Sequence, residues 1–139
     1  MTRKKTTGRL VKDNAEALQL LVRLKASDDG GYCSCVVCGV TRHYKDGMQG
    51  GHFISRARAA TKLLEENIHP ECRACNMPGS GHEAGYAKYM VETYGLEFVE
   101  WLHDESRKVI KWNRVDLENQ LKDLKEQIKI QEQRVLSEA

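Results

Sequence analysis

The chain has 139 residues, 40% hydrophobic and 30% charged, with a formal net charge of +2 at neutral pH. That length supports one small core, and no apolar run is long enough to cross a membrane. The charge is uneven: residues 1–62 carry 12 Lys/Arg against 5 Asp/Glu, a net +7, and residues 63–139 carry 10 against 15, a net −5. A polyanion-facing half beside a solvated or self-associating half has this distribution.

The first twelve residues, Met1 to Lys12, are basic and polar and lack the apolar run of a signal peptide. They read as a basic arm (1–12) on a cytoplasmic protein, where thiols stay reduced. A helix is expected from Asn14 to about Ser27. Asp13 stands as its N-cap, Glu16 completes a capping box, Leu18, Leu21 and Val22 form a stripe, and Asp28 to Gly31 stop it. From Tyr32 to Ile54 short apolar pieces alternate with Gly, Asp and Lys, as in a metal-binding turn, a loop and a short strand carrying His52. A second short strand is placed at Lys62 to Leu64. A helix should start near Cys72 or Asn76, interrupted by Pro78, Gly79 and Gly81. Tyr86 to Tyr94 and Leu96 to Lys108 read as helices broken at Gly95.

The last segment (109–139) has a clear period. Leu117, Leu121, Leu124 and Ile128 alternate spacings of four and three, Val135 lies seven beyond Ile128, and Gln131 falls on the same seam. Such a helix serves equally as an intramolecular partner or as a coiled-coil dimer element. Trp101 and Trp112 read as core or helix-junction anchors.

Cys35/Cys38 and Cys72/Cys75 form two Cys-x-x-Cys pairs joined by a long insertion, a spacing that delivers four thiolates to one structural zinc. Cys33 lies outside the two-residue spacer and reads as an ordinary thiol, while Gly39 gives the first turn room to fold back. Between the pairs stands His52. A histidine titrating near neutrality can deprotonate water for attack on a phosphodiester, if a nearby divalent cation stabilises the developing charge. Asn76, directly after the last cysteine, offers an amide oxygen to a hard ion such as Mg²⁺. Phosphate contacts are expected from Arg3, Lys4, Lys5, Arg56, Arg58 and Lys62.

Gly51-His52-Phe53, Asn67-Ile68-His69, Cys72 to Asn76, Ser80-Gly81 and Lys111-Trp112 followed by a Lys/Glu-rich helix resemble the lambdoid phage NinG family, also called Rap, of recombination endonucleases. The resemblance runs from about Leu24 to the C-terminus. The same core is similar to phage endonuclease VII, a Holliday-junction resolvase, and to the wider HNH or His-Me finger superfamily. It implies an α+β, mainly helical fold: a zinc-stapled ββα-metal core over residues 13–108, flanking helices and a long C-terminal helix. His52 falls on the general base, Asn67 on the asparagine that braces the base's loop, and Asn76 on the position that binds catalytic Mg²⁺ or Mn²⁺. The chain departs from the pattern at Gly51, where many HNH enzymes carry an acidic or histidine ligand. His69, His82 and Glu83 are the candidates for the missing ligand, and His82, where relatives carry asparagine, is placed in the cation site. The family's long cysteine-bearing N-terminal extension is replaced by the short arm.

The function expected is a metal-dependent endonuclease of bacterial host cytoplasm, of phage or prophage origin, that cuts branched DNA such as Holliday junctions as a homodimer. The alternatives are an HNH enzyme acting on ordinary duplex and a non-catalytic zinc module that binds nucleic acid or a protein.

Overall fold

The computed structural model describes residues 4–136. Helix α1 (Thr7–Ala26) leads into a hairpin of β1 (Tyr32–Ser34) and β2 (Thr41–His43). There follow β3 (Met48–His52), a short α2 (Ala59–Lys62), a 3-10 turn (Glu65–Asn67), β4 (Ile68–Cys72) and a one-turn α3 (Arg73–Asn76). Helices α4 (Glu83–Tyr94), α5 (Leu96–Ser106) and α6 (Arg114–Leu136) complete the chain. The architecture is α+β and mainly helical, as expected, with two small antiparallel sheets, β1–β2 and β3–β4.

Helix α1 begins two turns earlier than its sequence signals imply. Thr6 is the N-cap, its hydroxyl accepting from the Arg9 N–H at 3.1 Å. Residues 7–12, read as part of an arm, are therefore helical. Asp13 caps nothing; it pairs with Lys5 at 2.7 Å and Arg9 at 3.0 Å, and the Lys5 hydrogen bond draws its carboxyl below the ordinary range. The apolar stripe was the better guide, because it already starts at Leu10 and Val11. The strand expected at Lys62 to Leu64 is a second correction. That stretch closes α2 and turns, and the strand is formed instead by Ile68 to Cys72. Glu65 and Glu66, poor strand formers, make the intervening 3-10 turn.

Helices α1 and α6 run parallel, side by side. Near their starts Asn14 Nδ2 donates to the Leu10 carbonyl at 2.8 Å and to the Leu117 carbonyl at 3.0 Å. Near their ends the Arg134 guanidinium donates to the Leu24 and Ser27 carbonyls, both at 2.9 Å, and pairs with Asp29. The Leu24 carbonyl also accepts from the Ser27 N–H at 3.0 Å, so Arg134 adds a second donor at the end of α1. Between these anchors Leu117, Leu121 and Leu124 pack against Leu10, Val11, Leu18, Leu21 and Val22. The period of α6 is thus satisfied inside the chain, the intramolecular alternative left open by its pattern.

A second cluster gathers Leu24, Cys33, Tyr44, Met48 and Val135 around the cysteine turns, and a third packs Ile54 on Tyr86, Met90, Val99 and Leu102 of α4 and α5. Trp112 rests against the first cluster, but Trp101 stays half-exposed beside Phe98 and anchors no core. No helix among the described residues is long and apolar enough to cross a membrane.

Because the α6 seam is buried against α1, Leu121→Ala should lower unfolding stability by about 2–5 kcal/mol. Any self-association of the chain should be unchanged in that variant, as light scattering over a dilution series would register; a seam shared between copies would make the variant associate more weakly.

Candidate functional site

The β3–β4 ladder places Met48 opposite Cys72, Gly50 opposite Pro70, Gly51 opposite His69 and His52 opposite Ile68. At each end it delivers one chemical feature. The Cys72 end joins the cysteine cluster, and the His52 end opens onto a cleft.

Cys35 and Cys38 sit in the turn between β1 and β2, where Gly39, at φ 80°, lets its N–H return to the Cys35 carbonyl at 2.9 Å. Cys72 ends β4 and Cys75 lies in α3. The Val36 N–H donates to the Pro70 carbonyl at 3.0 Å and holds the first turn against β4. The four sulfurs consequently lie within 4.8 Å of one another, with Cys38 and Cys72 Sγ 3.7 Å apart. Metal–sulfur bonds of about 2.3 Å in a tetrahedron separate their sulfurs by roughly 3.8 Å, so this set can hold a metal ion of zinc's size and preference. Burial, then the neighbouring sulfurs, push the Cys75 thiol far up, an opposition to ionisation that a bound cation offsets. Cys33 stays out of the cluster, buried beside Leu24 and Tyr44, with its thiol pushed up by burial.

His52 ends β3 with its Nε2 2.9 Å from the Lys62 carbonyl. A carbonyl only accepts, so Nε2 carries the proton and Nδ1 keeps its lone pair. Burial lowers the basicity of the ring, the Lys62 carbonyl partly restores it, and Arg56 and Lys62 lower it further. Asn67 is fully buried across the ladder's end. Its Oδ1 accepts from the Ile54 N–H at 2.8 Å, and its Nδ2 donates to the Ile54 and Thr61 carbonyls at 3.0 and 3.1 Å. One amide thus ties both ends of the segment that follows His52.

The cleft beside His52 has a volume of about 280 Å³ and is lined by Gln19, Gly50, Arg56, Asn76, His82 and Glu83 among others. Asn76 Nδ2 donates to Gln49 Oε1 at 2.7 Å, which leaves its Oδ1 as the free end. His82 Nδ1 lies 2.5 Å from the Cys75 carbonyl, 3.1 Å from Ser80 Oγ and 3.2 Å from Glu71 Oε2. In the neutral ring the proton is therefore on Nδ1, which leaves Nε2 as the unprotonated nitrogen. Two residues that can offer acceptors to a cation, an amide oxygen and an imidazole nitrogen, thus line the same cleft as His52.

His69, a candidate for the same role, is committed elsewhere. Its Nδ1 lies 3.1 Å from the Tyr86 hydroxyl, which itself donates to the Gly51 carbonyl at 2.7 Å, and its Nε2 lies 2.7 Å from the Tyr94 hydroxyl. Both ring nitrogens are used, and burial lowers its pKa to about 4. Glu83 is exposed on the cleft rim.

The basic residues divide. Arg56 lines the cleft, Arg58 is exposed on the same loop, and Lys62 lends its carbonyl to His52. Lys4 and Lys5 are exposed before the start of α1, and Lys5 is engaged by Asp13. The start of α1 is roughly 20 Å along the helix from Gln19, which touches the cleft. Arg3 lies outside the described residues. Sequence reasoning missed Glu71, Gln49 and Arg23. Glu71 has no exposed surface and neither of its oxygens has a hydrogen-bond donor. Burial pushes its carboxyl up, His82 opposes this, and Glu83 adds to it. Arg23 donates to its own helix at Gln19 and to the Tyr44 and Met48 carbonyls, fastening the loop before β3 to α1. A charged residue inside the otherwise buried run Ile68–Cys72 was the available signal for Glu71.

Together these features define a small α+β protein in which the β1–β2 turn, the end of β4 and the short α3 share a four-cysteine set that could hold a metal. The chain belongs to the NinG family: the family model described as bacteriophage Lambda NinG protein matches residues 2–134. It is 23% identical over 124 residues to protein ninG of Salmonella phage P22, an alignment covering 84% of this chain and 58% of that one. The chain thus spans about three fifths of the length of the curated relative it matches. No solved structure matches it.

Two outcomes test this description. Replacing Cys72 with Ser, or stripping the metal with a strong chelator, should remove metal from the protein by elemental analysis and melt the β1–β2 turn and α3 by circular dichroism. Separately, His69 binds its proton more weakly folded, near pH 4, than at the ordinary value of 6.5. In that window the unfolded chain holds the extra proton, so stability should fall as pH drops from 6.5 towards 4, by on the order of 3 kcal/mol. Denaturant titrations of the wild type and His69→Gln at pH 7 and 4.5 should show a smaller loss in the variant.

Proposed function

We propose that the protein is a metal-dependent endonuclease that cuts branched DNA such as Holliday junctions, with His52 as general base. The observation that carries this reading is the Lys62 carbonyl at His52 Nε2, which presents Nδ1 as the acceptor beside a cleft lined by Asn76, His82 and Arg56. Burial keeps the imidazole neutral near physiological pH, the form a base requires.

In this mechanism Nδ1 of His52 takes the proton of a water as its oxygen attacks the phosphorus. The Asn67 brace holds the following loop, so the ring keeps its direction while charge develops on it. Arg56 binds the phosphate by charge. Asn76 Oδ1 and His82 Nε2 are the groups that would hold a catalytic Mg²⁺ or Mn²⁺, which supplies charge stabilisation for the phosphorane and the leaving 3′ oxygen. The four cysteines hold a structural zinc that fixes α3, and with it Asn76, against β3. The strand–strand–helix order of β3, β4 and α3 supports the ββα-metal reading implied by the resemblance to endonuclease VII and HNH enzymes.

Branched DNA is favoured over ordinary duplex by the resemblance to phage recombination endonucleases. Two cuts in opposing strands would call for a homodimer. With the α6 seam engaged by α1, the exposed side chains Val109, Ile110 and Val115 are the apolar surface near α6 for such pairing. The cysteine set alone also suits a non-catalytic zinc module. Labelled four-way junction, flap and linear duplex, incubated in Mg²⁺ or Mn²⁺, separate the three readings: preferential junction cutting supports the proposal, equal duplex cutting the HNH alternative, and binding without cutting the module. His52→Ala should reduce cleavage by about 10²- to 10⁴-fold while zinc content and DNA affinity stay unchanged; full activity in that variant would remove His52 from the mechanism.

A further inference from the structure

Gly51 stands where a cation ligand is expected, yet a side chain there has no room. A Cβ on Gly51 would overlap Glu71 Oε1 and come within 2.9 Å of Glu71 Cβ. The two residues share a face of the ladder, since Gly51 pairs with His69 and side chains two apart on a strand point the same way. The acidic group is therefore not lost from this position: it arrives from the neighbouring strand and fills the volume that the glycine leaves.

Glu71 is an expensive residue to keep there. It is wholly buried, no hydrogen-bond donor reaches either oxygen, and beside it stands the His82 ring, whose Nδ1 lies 3.2 Å from Oε2 but gives its hydrogen to the Cys75 carbonyl. His82 in turn is only partly buried and lines the cleft that also contains Asn76 and His52. With the Nδ1–H held by the Cys75 carbonyl and the Glu71 carboxylate within ion-pair range of the same nitrogen, the tautomer and direction of the ring are set and its other nitrogen is made a stronger donor to a cation.

We propose that Glu71 is a positioning residue for a divalent cation in the cleft, acting through His82, and that it replaces the ligand absent at Gly51. The cation is bound by His82 Nε2 and Asn76 Oδ1; Glu71 stands behind His82, orients it and contributes negative charge to the site. Gly51 is then required by the arrangement, because any larger residue would displace the carboxylate. This rests on reading the cleft as a cation site, but not on whether DNA is cut there.

The test measures binding of Mn²⁺ alone to the zinc-loaded full chain by the loss of its free-ion electron paramagnetic resonance signal. Glu71→Gln keeps the shape and removes the charge, and it should weaken Mn²⁺ by about 10- to 100-fold with zinc content and circular dichroism unchanged. His82→Ala should weaken it at least as much, and the double variant no further than His82→Ala alone, because the two act as one unit. Additive losses, or an unchanged Mn²⁺ affinity in Glu71→Gln, would reduce the pair to a structural contact and overturn the proposal. If Glu71→Gln fails to fold, the His82→Ala result decides: undiminished Mn²⁺ binding there overturns it as well. A wild type that takes up no Mn²⁺ at millimolar concentration overturns it outright. A wild type that binds Mn²⁺ through this pair without cutting DNA upholds the site and defeats the nuclease reading instead.

Discussion

Two consecutive glycines allow β3 to be approached at backbone distance from both sides. A Cβ at Gly50 would come within 2.7 Å of the Gln19 Cα, so α1 lies directly on one face, while Glu71 occupies the other face at Gly51. Everything around the cleft follows from this thin strand. Helix α1 can reach across it to line the cleft with Gln19, His52 is carried to the strand's end, and the Tyr86 hydroxyl caps the Gly51 carbonyl from α4. Any side chain at these two positions would separate the helix, the ladder and the buried carboxylate from one another.

Hydrogen bonds and the cysteine set do the positioning that regular structure does in a larger domain. The segment after His52 has a single four-residue helix, and it is held by Asn67 at Ile54 and Thr61 and by the Lys62 carbonyl at His52. Those groups are buried or partly buried and mutually satisfied, which makes the loop stiff without apolar mass. The same economy holds at the cysteines, where the turn after β1 and the end of β4 are joined through side chains and the contact of Val36 with Pro70.

Much of this was legible in the sequence, where a residue type has few uses. Paired Cys-x-x-Cys turns have one common purpose in a reducing compartment, and the four sulfurs do converge. Gly95 divides α4 from α5 at the expected place. Boundaries depended on weaker signals. Asp13 and Glu16 imitate a capping box, but Thr6 caps the helix because the apolar stripe continues back to Leu10. A strand at Lys62 to Leu64 was a local reading of three residues, overridden by the pairing of Ile68 to Cys72 with β3. Glu71 was invisible for a different reason: its meaning depends on a glycine twenty residues earlier, and only the ladder register puts the two together. The partner of α6 was left open for a similar reason, since a periodic stripe states that a helix is covered but not by what.

The pairing of the first helix with the last gives this small domain a high contact order. Asn14 reaches Leu117 across 103 residues and Arg134 reaches Leu24 across 110. Closing a loop of that length costs about 4 kcal/mol of chain entropy before any contact compensates it. During synthesis the apolar stripe of α1 emerges first and waits for α6, so the strand pair and cysteine turns must form beside an uncovered helix. The nascent chain thus depends on the order of its own translation: the core closes last, and the interval before closure is when it is most exposed to aggregation and proteolysis.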